Sequence, residues 1–360
     1  MMEKIQLNVA YVGSYDPLYT RVRTVLKGLR KQGVNVIECR NKNPYKLLRL
    51  AIIAIKYLLI AYKVDALIVS EAGHAYVPLA KILSLITRKP LIFDAFLSYY
   101  HVKVVDTKSV PTNSLKGKYF YYLDKISCLL ADIVLLDTQE HAEYFHKTFN
   151  ISLNKFRILP VGSDDEWFSP TQENISKKNF NVFLVTSFFP VHGVEYVIKA
   201  AKLLENEQNI KFLIVGDGMT RPYIESLKEK LEVKNVIIKG ITPSYLLPEL
   251  MSQASVCLGQ FGNTQHAQLV IPAKVYDALA MKKPVITGNG MAIKQILTDK
   301  ENVIFCSFAD PLAIAEAILS LKNDNNLRIR IAENGYNLFK SQYSLDFIGK
   351  QLIEIIKEFI

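Results

Sequence analysis

The residues with the clearest chemical potential lie between positions 258 and 290. A polar loop there follows an apolar strand, and Pro272 is expected as the first residue of a helix. The amides of Ala273 and Lys274 would then be free at the positive helix end, which suits a diphosphate. Lys274 adds a mobile charge, and Asp277, one turn further on the same face, could accept hydrogen bonds from a ribose diol. The pattern also fits an ordinary capped helix whose Lys274 and Asp277 are merely solvated.

Several common catalytic motifs are absent from the sequence. It contains no Gly-x-Gly-x-x-Gly after the first predicted strand, no Walker loop, no Gly-x-Ser-x-Gly and no His-Glu-x-x-His. His141 and His146 are five residues apart, which does not place both on one helix face for a metal ion. The four cysteines form no Cys-x-x-Cys pair. We therefore expect no metal site, no cofactor and a reducing compartment.

Apolar runs rich in β-branched residues alternate with helical stretches along the chain, and each run is nearly continuous, as in parallel sheets covered on both faces. The predicted strands of the first half are Leu7–Val12, Val34–Cys39, Ala66–Val69, Pro90–Phe93 and Ile133–Leu136. Those of the second half are Asn181–Thr186, Ile210–Val215, Val236–Lys239, Val256–Leu258 and Pro284–Thr287. The predicted fold class is α/β, with two doubly wound Rossmann-like domains facing each other across a cleft. Ligands bind such sheets at the carboxyl ends of the strands.

The chain has 360 residues, more than a single core normally organises, so two domains are expected. Residues 159–179 interrupt the alternation with proline, glycine and a polar tail, as interdomain linkers do. We predict an N-terminal domain over residues 1–170 and a C-terminal domain over residues 171–343. A terminal helix over residues 344–360 is expected to pack back toward the N-terminal domain.

Positive charge is concentrated in the first half of the chain. Residues 1–165 hold 23 Lys and Arg against 14 Asp and Glu, whereas residues 166–360 hold 21 against 20. A basic domain indicates a polyanionic partner, either nucleic acid or an anionic membrane. No nucleic-acid-reading module is recognisable, so nucleic acid is not expected as a partner. The apolar run Ile5–Val12 is too short for a signal peptide, and a cytoplasmic location is expected.

The segment 46–63 combines apolar residues with Lys46, Arg49, Lys56 and Lys63 on one helical stripe. It is shorter than the roughly 20 uninterrupted apolar residues of a spanning helix, so it is not expected to cross a bilayer. One interpretation is a helix buried against the first sheet with its lysines reaching solvent. The other is a helix that lies on anionic lipid. The strand that follows immediately favours the buried helix.

Residues 258–290 resemble the donor-binding signature of retaining, two-domain glycosyltransferases of family 4, which have the GT-B fold and are also called glycosyl transferases group 1. The resemblance rests on Phe-Gly-Asn-Thr at 261–264 followed by Ile-Pro-Ala-Lys-Val-Tyr-Asp-Ala-Leu-Ala-Met-Lys-Lys-Pro-Val-Ile-Thr. Gly193 is similar to the family's helix-opening glycine, and the turn at 216–218 is similar to its Val-Gly-Asp-Gly turn. The linker motif Pro-x-Gly-x-Asp and three stretches of the first domain are similar as well, so the resemblance covers nearly the whole chain.

The resemblance implies that the C-terminal domain binds a nucleoside-diphosphate sugar as donor and that the N-terminal domain binds the acceptor. Asp277 takes the place of the second acid of a Glu-x7-Glu motif, which is expected to hold the ribose, and Leu269 stands in the first glutamate's place. Thr186 and His192 stand where an arginine and a lysine usually grip the diphosphate, so His192, Lys274 and the helix-end amides would share that role. The expected donor-binding residues are His192, Gly193, Gly216, Gly262, Asn263, Thr264, Pro272, Ala273, Lys274 and Asp277.

The acceptor side is expected at the carboxyl ends of the first sheet. The residues expected to line the cleft there are Gly13, Ser14, Tyr15 and Arg21. Asp94 at a strand end and His101 shortly after it are the candidate catalytic residues, and a capping aspartate and a packed histidine are the alternatives. In a retaining enzyme of this kind no side-chain nucleophile is needed if the donor phosphate itself takes the acceptor proton.

Two functions follow from these features. One is a cytoplasmic, metal-independent, retaining glycosyltransferase that moves a sugar onto a glycan or lipid-linked acceptor, in peripheral contact with an anionic membrane. The other is a catalytically inactive homologue that binds glycan or lipid as a partner subunit, since Leu269, Thr186 and His192 stand where donor-binding side chains are expected. Nucleotide binding would separate the two.

Overall fold

The computed structural model describes residues 7–171 and 179–360, which divide into two compact units. The first unit extends to Val161 and also includes Leu345–Ile360, and the second unit is Gly162–Ser344. The division lies nine residues before the predicted boundary at 170, because the chain after Val161 already bonds within the second unit. The Ser163 N–H, for example, donates to the Tyr343 carbonyl at 3.2 Å. Residues 172–178 of the predicted linker lie outside the described residues.

The first unit alternates strands and helices. Its strands are β1 (Asn8–Gly13), β2 (Asn35–Arg40), β3 (Ala66–Val69), β4 (Leu91–Asp94), β5 (Ile133–Leu136) and β6 (Phe156–Ile158). Its helices up to Val161 are α1 (Thr20–Lys31), α2 (Lys46–Ile60), α3 (Val77–Thr87), α4 (Leu115–Leu130) and α5 (Gln139–Phe149). The strands form a parallel sheet in the order β2-β1-β3-β4-β5-β6. Right-handed crossovers then place α1 on one face of the sheet and α2 to α5 on the other.

The second unit repeats this architecture. Its strands are β7 (Phe180–Thr186), β8 (Ile210–Gly216), β9 (Val236–Lys239), β10 (Val256–Leu258), β11 (Val285–Gly288) and β12 (Ile304–Cys306). Its helices are α6 (Val194–Leu203), α7 (Arg221–Lys230), α8 (Leu247–Ser252), α9 (Gln265–Leu269), α10 (Ala273–Ala280), α11 (Met291–Lys294), α12 (Pro311–Asn323) and α13 (Asn325–Gln342). The parallel strand order is β12-β11-β10-β7-β8-β9.

The last helix, α14 (Leu345–Lys357), packs against α1 in the first unit. The two helix backbones approach so closely at Gly28 and Gly349 that a Cβ placed on Gly349 would lie 2.1 Å from the Gly28 carbonyl oxygen. Ile348, Leu352 and Ile356 of α14 join the apolar core that β1 and α1 share. The last helix in the sequence therefore covers the sheet that begins with the first strand.

The predicted fold class is confirmed, since each unit is a doubly wound, Rossmann-like α/β domain. Strands β6 and β12, which have only three residues each, were not predicted from the sequence, and neither were helices α5 and α13. Short strands between well-defined helices carry too few residues to show a period.

Helix α2 differs from the favoured sequence interpretation. Only Ile53 and Tyr57 are fully buried in it, whereas Leu47 and Leu59 are 82% and 70% exposed. The prediction of a buried helix is therefore wrong for most of its apolar residues, because one sheet can cover only one side of a helix. Among the described residues, no helix has both the length and the hydropathy needed to span a bilayer.

Candidate functional site

In the second unit, one histidine links the carboxyl end of the central strand β7 to the first turn of α10. His192 Nε2 lies 3.0 Å from Ser187 Oγ, and His192 Nδ1 lies 3.5 Å from Lys274 Nζ. When Lys274 is charged, its ammonium group has no acceptor, so Nδ1 accepts and Nε2 carries the proton that is donated to Ser187. The structure thus brings together His192 and Lys274, two of the predicted donor-binding residues, and adds Ser187, which the sequence analysis did not identify.

Burial sets the charge state of this cluster. Lys274 is 8% exposed, and burial lowers its pKa to about 7. Burial, followed by the positive charges of Lys274 and His266, holds the pKa of His192 well below its usual value. Across residues 7–171 and 179–360, Lys274 forms no ion pair with a carboxylate. A ligand phosphate would supply the negative charge that the protein does not.

Gly193 and Gly262 allow two loops of the second unit to meet beside His192. Gly193 has a φ of +61°, and a Cβ at this position would lie 2.4 Å from the Gly262 nitrogen. The N–H groups of Phe261 and Gly262 donate to the carbonyls of His192 and Val191 at 3.1 and 3.2 Å. Glycine is therefore required here both by the left-handed backbone and by the close approach.

Helix α10 begins one residue later than predicted. Pro272 has a φ of −69° and a ψ of 140°, so it is the N-cap residue, and Ala273 is the first helical residue. The predicted role of Pro272 as first helical residue is wrong, but the helix end remains where the motif placed it. The first-turn amides of Ala273 and Lys274 lie at the positive end of the helix dipole, beside the Lys274–His192 pair.

Asp277 is tied into the scaffold of the second unit. Its Oδ1 accepts a hydrogen bond from Ser163 Oγ at 2.6 Å, and both residues are buried. Leu269 and Thr186, which replace the expected donor-binding side chains, are buried as well. The ribose-binding role of Asp277 stays a prediction, and its bond to Ser163 is a feature that sequence spacing could not show across 114 positions.

The other predicted donor-binding residues lie in loops at the strand ends. Gly216 ends β8, and Asn263 is exposed in the loop after β10. Thr264 caps α9, where its side chain accepts from the Ala267 N–H. The structure therefore gives Thr264 a local structural role, and contact of Asn263 and Gly216 with a donor stays a prediction.

In the first unit, Arg21 and Asp94 form a fully buried ion pair. Arg21 Nη2 lies 2.9 Å from Asp94 Oδ1, and Arg21 Nε lies 3.0 Å from Asp94 Oδ2. Arg21 Nη1 donates to the carbonyls of Leu159 and Pro160 at 2.6 and 2.9 Å. Burial opposes the charge of Arg21, but the Asp94 carboxylate raises the arginine pKa above its usual value. The expectation that Arg21 lines a ligand site is therefore wrong, because its guanidinium is 0% exposed.

Of the remaining residues predicted on the acceptor side, Ser14 is exposed to solvent, whereas Tyr15 and His101 are buried. Ser14 is exposed directly after Gly13 at the end of β1, where it can meet a ligand. Tyr15 is buried, and its hydroxyl donates to Glu38 Oε2 at 2.8 Å. His101 is also buried, and its ring stacks on Tyr144 with 4.3 Å between centroids. The alternative of a packed histidine therefore describes His101, and Tyr15 does not present its hydroxyl to a ligand.

Glu71 is an acidic residue at the same edge that the sequence analysis missed. It follows β3 by two positions, and burial together with the negative charge of Asp94 raises its pKa to about 7. Asp94 and Tyr99 both interact electrostatically with it. The signal that identified Asp94, a polar residue at the end of a buried strand, applies equally to Glu71.

Comparison with known proteins gives a consistent family assignment for the second unit. Residues 165–338 match the family described as "Glycosyl transferases group 1". The alpha-D-kanosaminyltransferase of Streptomyces kanamyceticus is 28% identical over 176 residues, which are 46% of this chain and 42% of that protein. The capsular polysaccharide biosynthesis glycosyltransferase CapM of Staphylococcus aureus is 24% identical over 288 residues, which are 74% of this chain and 73% of CapM. The match to the kanosaminyltransferase thus spans less than half of that protein.

Solved structures extend the likeness to both units. Anabaena Alr3699/HepE, crystallised in complex with UDP-glucose, superposes with a TM-score of 0.74 at 15% identity, covering 98% of this chain and all of that one. At this identity the comparison shows the fold, which is the GT-B fold of two Rossmann-like domains.

Proposed function

Because residues 165–338 form a glycosyl transferases group 1 domain, we propose that this chain is a retaining, metal-independent glycosyltransferase. It transfers a sugar from a nucleoside-diphosphate sugar to a glycan or lipid-linked acceptor. The observation that carries this proposal is Lys274, a buried lysine at the start of α10 that lies 3.5 Å from His192 and has no carboxylate partner within residues 7–171 and 179–360. Such a lysine is costly to the fold unless an anion uses it.

The donor diphosphate is the anion that this cluster suits. Lys274 Nζ and the first-turn amides of α10 would bind its oxygens, as helix N-termini bind phosphate. These groups stabilise the negative charge that develops as the sugar–phosphate bond breaks, and they do so from fixed positions. His192 Nδ1 holds Lys274 in place, so it acts here as a positioning residue.

Retention of configuration follows from a reaction on one face of the sugar. The bond between the anomeric carbon and the phosphate oxygen breaks, and the acceptor oxygen bonds to the same face of that carbon. The acceptor proton passes to the departing phosphate oxygen, so no side-chain nucleophile is consumed. Positioning and charge stabilisation then supply the catalysis.

The relatives guide the choice of donor and acceptor. HepE was crystallised with UDP-glucose, which makes a uridine donor the first to test, and CapM is named for capsular polysaccharide biosynthesis. The basic first half of this chain supports a cytoplasmic protein in peripheral contact with an anionic membrane surface, where a lipid-linked acceptor would be met.

A nucleotide-binding screen tests the proposal. We expect UDP or another nucleoside diphosphate at 100 times its dissociation constant to stabilise the protein by about 2.7 kcal/mol, with or without magnesium or EDTA. Lys274→Met should lose most of this shift, whereas Lys230→Met, which removes an exposed lysine of α7, should keep it. Transfer to a glycan acceptor followed by NMR of the anomeric centre then reads the configuration of the product.

Other outcomes contradict specific parts of the proposal. If no nucleotide stabilises the wild type, the chain is the inactive partner subunit instead. A shift that requires magnesium overturns metal independence. If Lys274→Met and Lys230→Met behave alike, Lys274 does not contact the diphosphate.

A further inference from the structure

The outer surfaces of α2, α3 and α4 form a continuous apolar face on the first unit. The three helices lie on the same side of the sheet, and α3 packs between α2 and α4. We call their exposed apolar side chains the outer face. The outer face consists of Leu47, Leu48, Ile55, Leu58, Leu59, Ile82, Leu85, Ile86, Leu115, Tyr119, Tyr122, Ile126 and Leu129.

The spacing shows that these residues form stripes rather than scattered positions. In α4 they follow at intervals of four, three, four and three from Leu115 to Leu129, which is the period of one helix face. In α3, Ile82, Leu85 and Ile86 follow the same rule. Isolated exposed leucines are ordinary in proteins, but three adjacent helices with apolar stripes indicate a surface that is normally covered.

The charges on these helices have one sign. Their basic residues are Lys46, Arg49, Lys56, Lys81, Lys116, Lys118 and Lys125. Their one carboxylate, Asp124, is fully buried and accepts from Ser98 Oγ at 2.6 Å and from the Tyr100 N–H at 2.9 Å. Lys81 is paired at 2.6 Å with Asp132, which lies two residues after α4, and the rest of the exposed surface of the three helices offers positive charge and apolar side chains.

This combination fits an anionic bilayer better than a protein. Protein interfaces are depleted in lysine, and a self-complementary interface between two copies would place these lysines against each other. Lysine together with leucine, isoleucine and tyrosine is the composition of helices that lie in a membrane interface. The charge favours anionic headgroups, and the stripes favour the acyl region below them.

We propose that the outer face docks the first unit onto an anionic lipid bilayer, with the apolar stripes inserted and the basic residues at the headgroups. This deepens the membrane contact of the proposed function and rests on it for the choice of acceptor, but not on nucleotide binding. The membrane attachment extends over three helices and does not reside in α2 alone.

The same geometry places the bilayer near the acceptor side of the first unit. Helices α2 and α4 follow parallel strands, so their first turns lie at the carboxyl edge of the sheet. Leu47 and Leu115, which are 82% and 87% exposed, lie in these turns. Ser14 follows β1 at the same edge. An acceptor anchored in the bilayer would therefore reach this edge without leaving the membrane.

Vesicle sedimentation with the full chain tests the docking. The probes are vesicles of phosphatidylcholine with 30% phosphatidylglycerol and vesicles of phosphatidylcholine alone. We expect the wild type to bind the anionic vesicles at least 10-fold more tightly, with binding that falls as salt rises. A Leu115→Ser, Tyr119→Ser and Ile126→Ser triple variant should lose at least 10-fold, because it removes buried apolar area from the bound state. A Lys46→Gln, Lys116→Gln and Lys118→Gln variant should lose about 10- to 100-fold on anionic vesicles only.

Matched variants in the second unit serve as controls. Leu203→Ser, Ile237→Ser and Ile241→Ser remove three exposed apolar residues, and Lys211→Gln, Lys230→Gln and Lys239→Gln remove three exposed lysines. Both control variants should bind vesicles like the wild type. All substituted positions are exposed, and an unchanged thermal midpoint verifies the fold of each variant.

Three results would overturn the docking proposal. The first is a wild type that does not bind anionic vesicles, and the second is equal loss in outer-face and control variants. The third is a concentration-dependent dimer that the outer-face serine variant abolishes while vesicle binding persists. A UDP thermal shift measured on every variant keeps the two proposals apart, because vesicle binding without nucleotide binding would refute the transferase and leave the docking intact.

Discussion

Each unit buries a cation close to the carboxyl end of its sheet, and the two cations have opposite surroundings. Arg21 in the first unit faces Asp94 and two backbone carbonyls, all within 3.1 Å. Lys274 in the second unit lies in the first turn of α10, 3.5 Å from the ring of His192, and no carboxylate among the described residues pairs with it. As a result the pKa of Arg21 lies above its usual value, whereas burial lowers that of Lys274 to about 7.

The difference separates a charge that the fold itself satisfies from one that an anion would stabilise. A buried cation whose hydrogen bonds are already satisfied by a carboxylate has little left to offer a ligand. A buried cation without that partner destabilises the fold and gains most from an incoming anion. Burial and residue type alone do not distinguish the two, since both are buried basic residues on the first turn of a helix.

The largest expected effect lies at the first-unit pair. Asp94→Asn leaves the Arg21 charge buried without its partner and should lower the free energy of unfolding by about 3–5 kcal/mol. The Arg21→Met and Asp94→Leu double variant should recover much of that loss, because it removes both charges. Urea unfolding at pH 7 measures all three proteins. If Asp94→Asn lowers the free energy of unfolding by less than about 1 kcal/mol, Arg21 does not depend on its carboxylate, and the proposed difference between the two buried cations is wrong.

The second prediction concerns the charge of Lys274. Its lowered pKa means that about half of the free protein lacks this charge at pH 7. A bound diphosphate stabilises the ammonium form, so nucleotide binding should take up roughly 0.5 proton at pH 7 and more at pH 8. Affinity should therefore fall as the pH rises above about 7. Calorimetry in buffers of different ionisation enthalpy measures the uptake.

The Lys274→Met variant sharpens this test. It should bind nucleotide about 1–3 kcal/mol more weakly and show no proton uptake. It should also be more stable than the wild type at pH 7, because the folded-state pKa of Lys274 is depressed. That penalty is fully present below pH 7 and disappears as the pH rises toward the unfolded value near 10.4. If Lys274→Met still takes up a proton when it binds nucleotide, the proton belongs to another group.

The smallest expected effect concerns Asp277 and its bond to Ser163. Ser163→Ala should cost about 1–2 kcal/mol of stability through the lost charged hydrogen bond, and leave UDP affinity unchanged. Asp277→Asn should weaken UDP binding, but not binding of UDP that lacks both ribose hydroxyls. If Asp277→Asn weakens both ligands equally, or neither, Asp277 belongs to the scaffold and does not hold the ribose.

Some elements could be predicted because residues that are neighbours in the sequence define their bounds. The bounds of β3, β5 and β9 coincide with the predicted ones, since short apolar runs with flanking polar residues define them. The start of α10 was also predictable to within one residue, from the sequence around Pro272. The role of Arg21 was not, because its partner Asp94 lies 73 residues away and nothing in the spacing shows that the two meet.

The exposure of α2 shows a second limit of sequence analysis. Its composition shows that it is apolar, but not whether protein, lipid or a partner covers it. The apolar stripes of α3 and α4 make the outer face continuous, but only the fold shows that these two helices lie beside α2.

The packing of α14 on α1 has a consequence for synthesis of the protein. The second unit is one continuous stretch of chain, whereas the first unit needs residues that are translated after the second unit is complete. Domains generally fold in the order in which they emerge from the ribosome. In this chain the face of α1 that α14 covers stays open until Leu345–Ile360 has been made, so the Gly28–Gly349 contact cannot form before the synthesis of Gly162–Ser344 is complete.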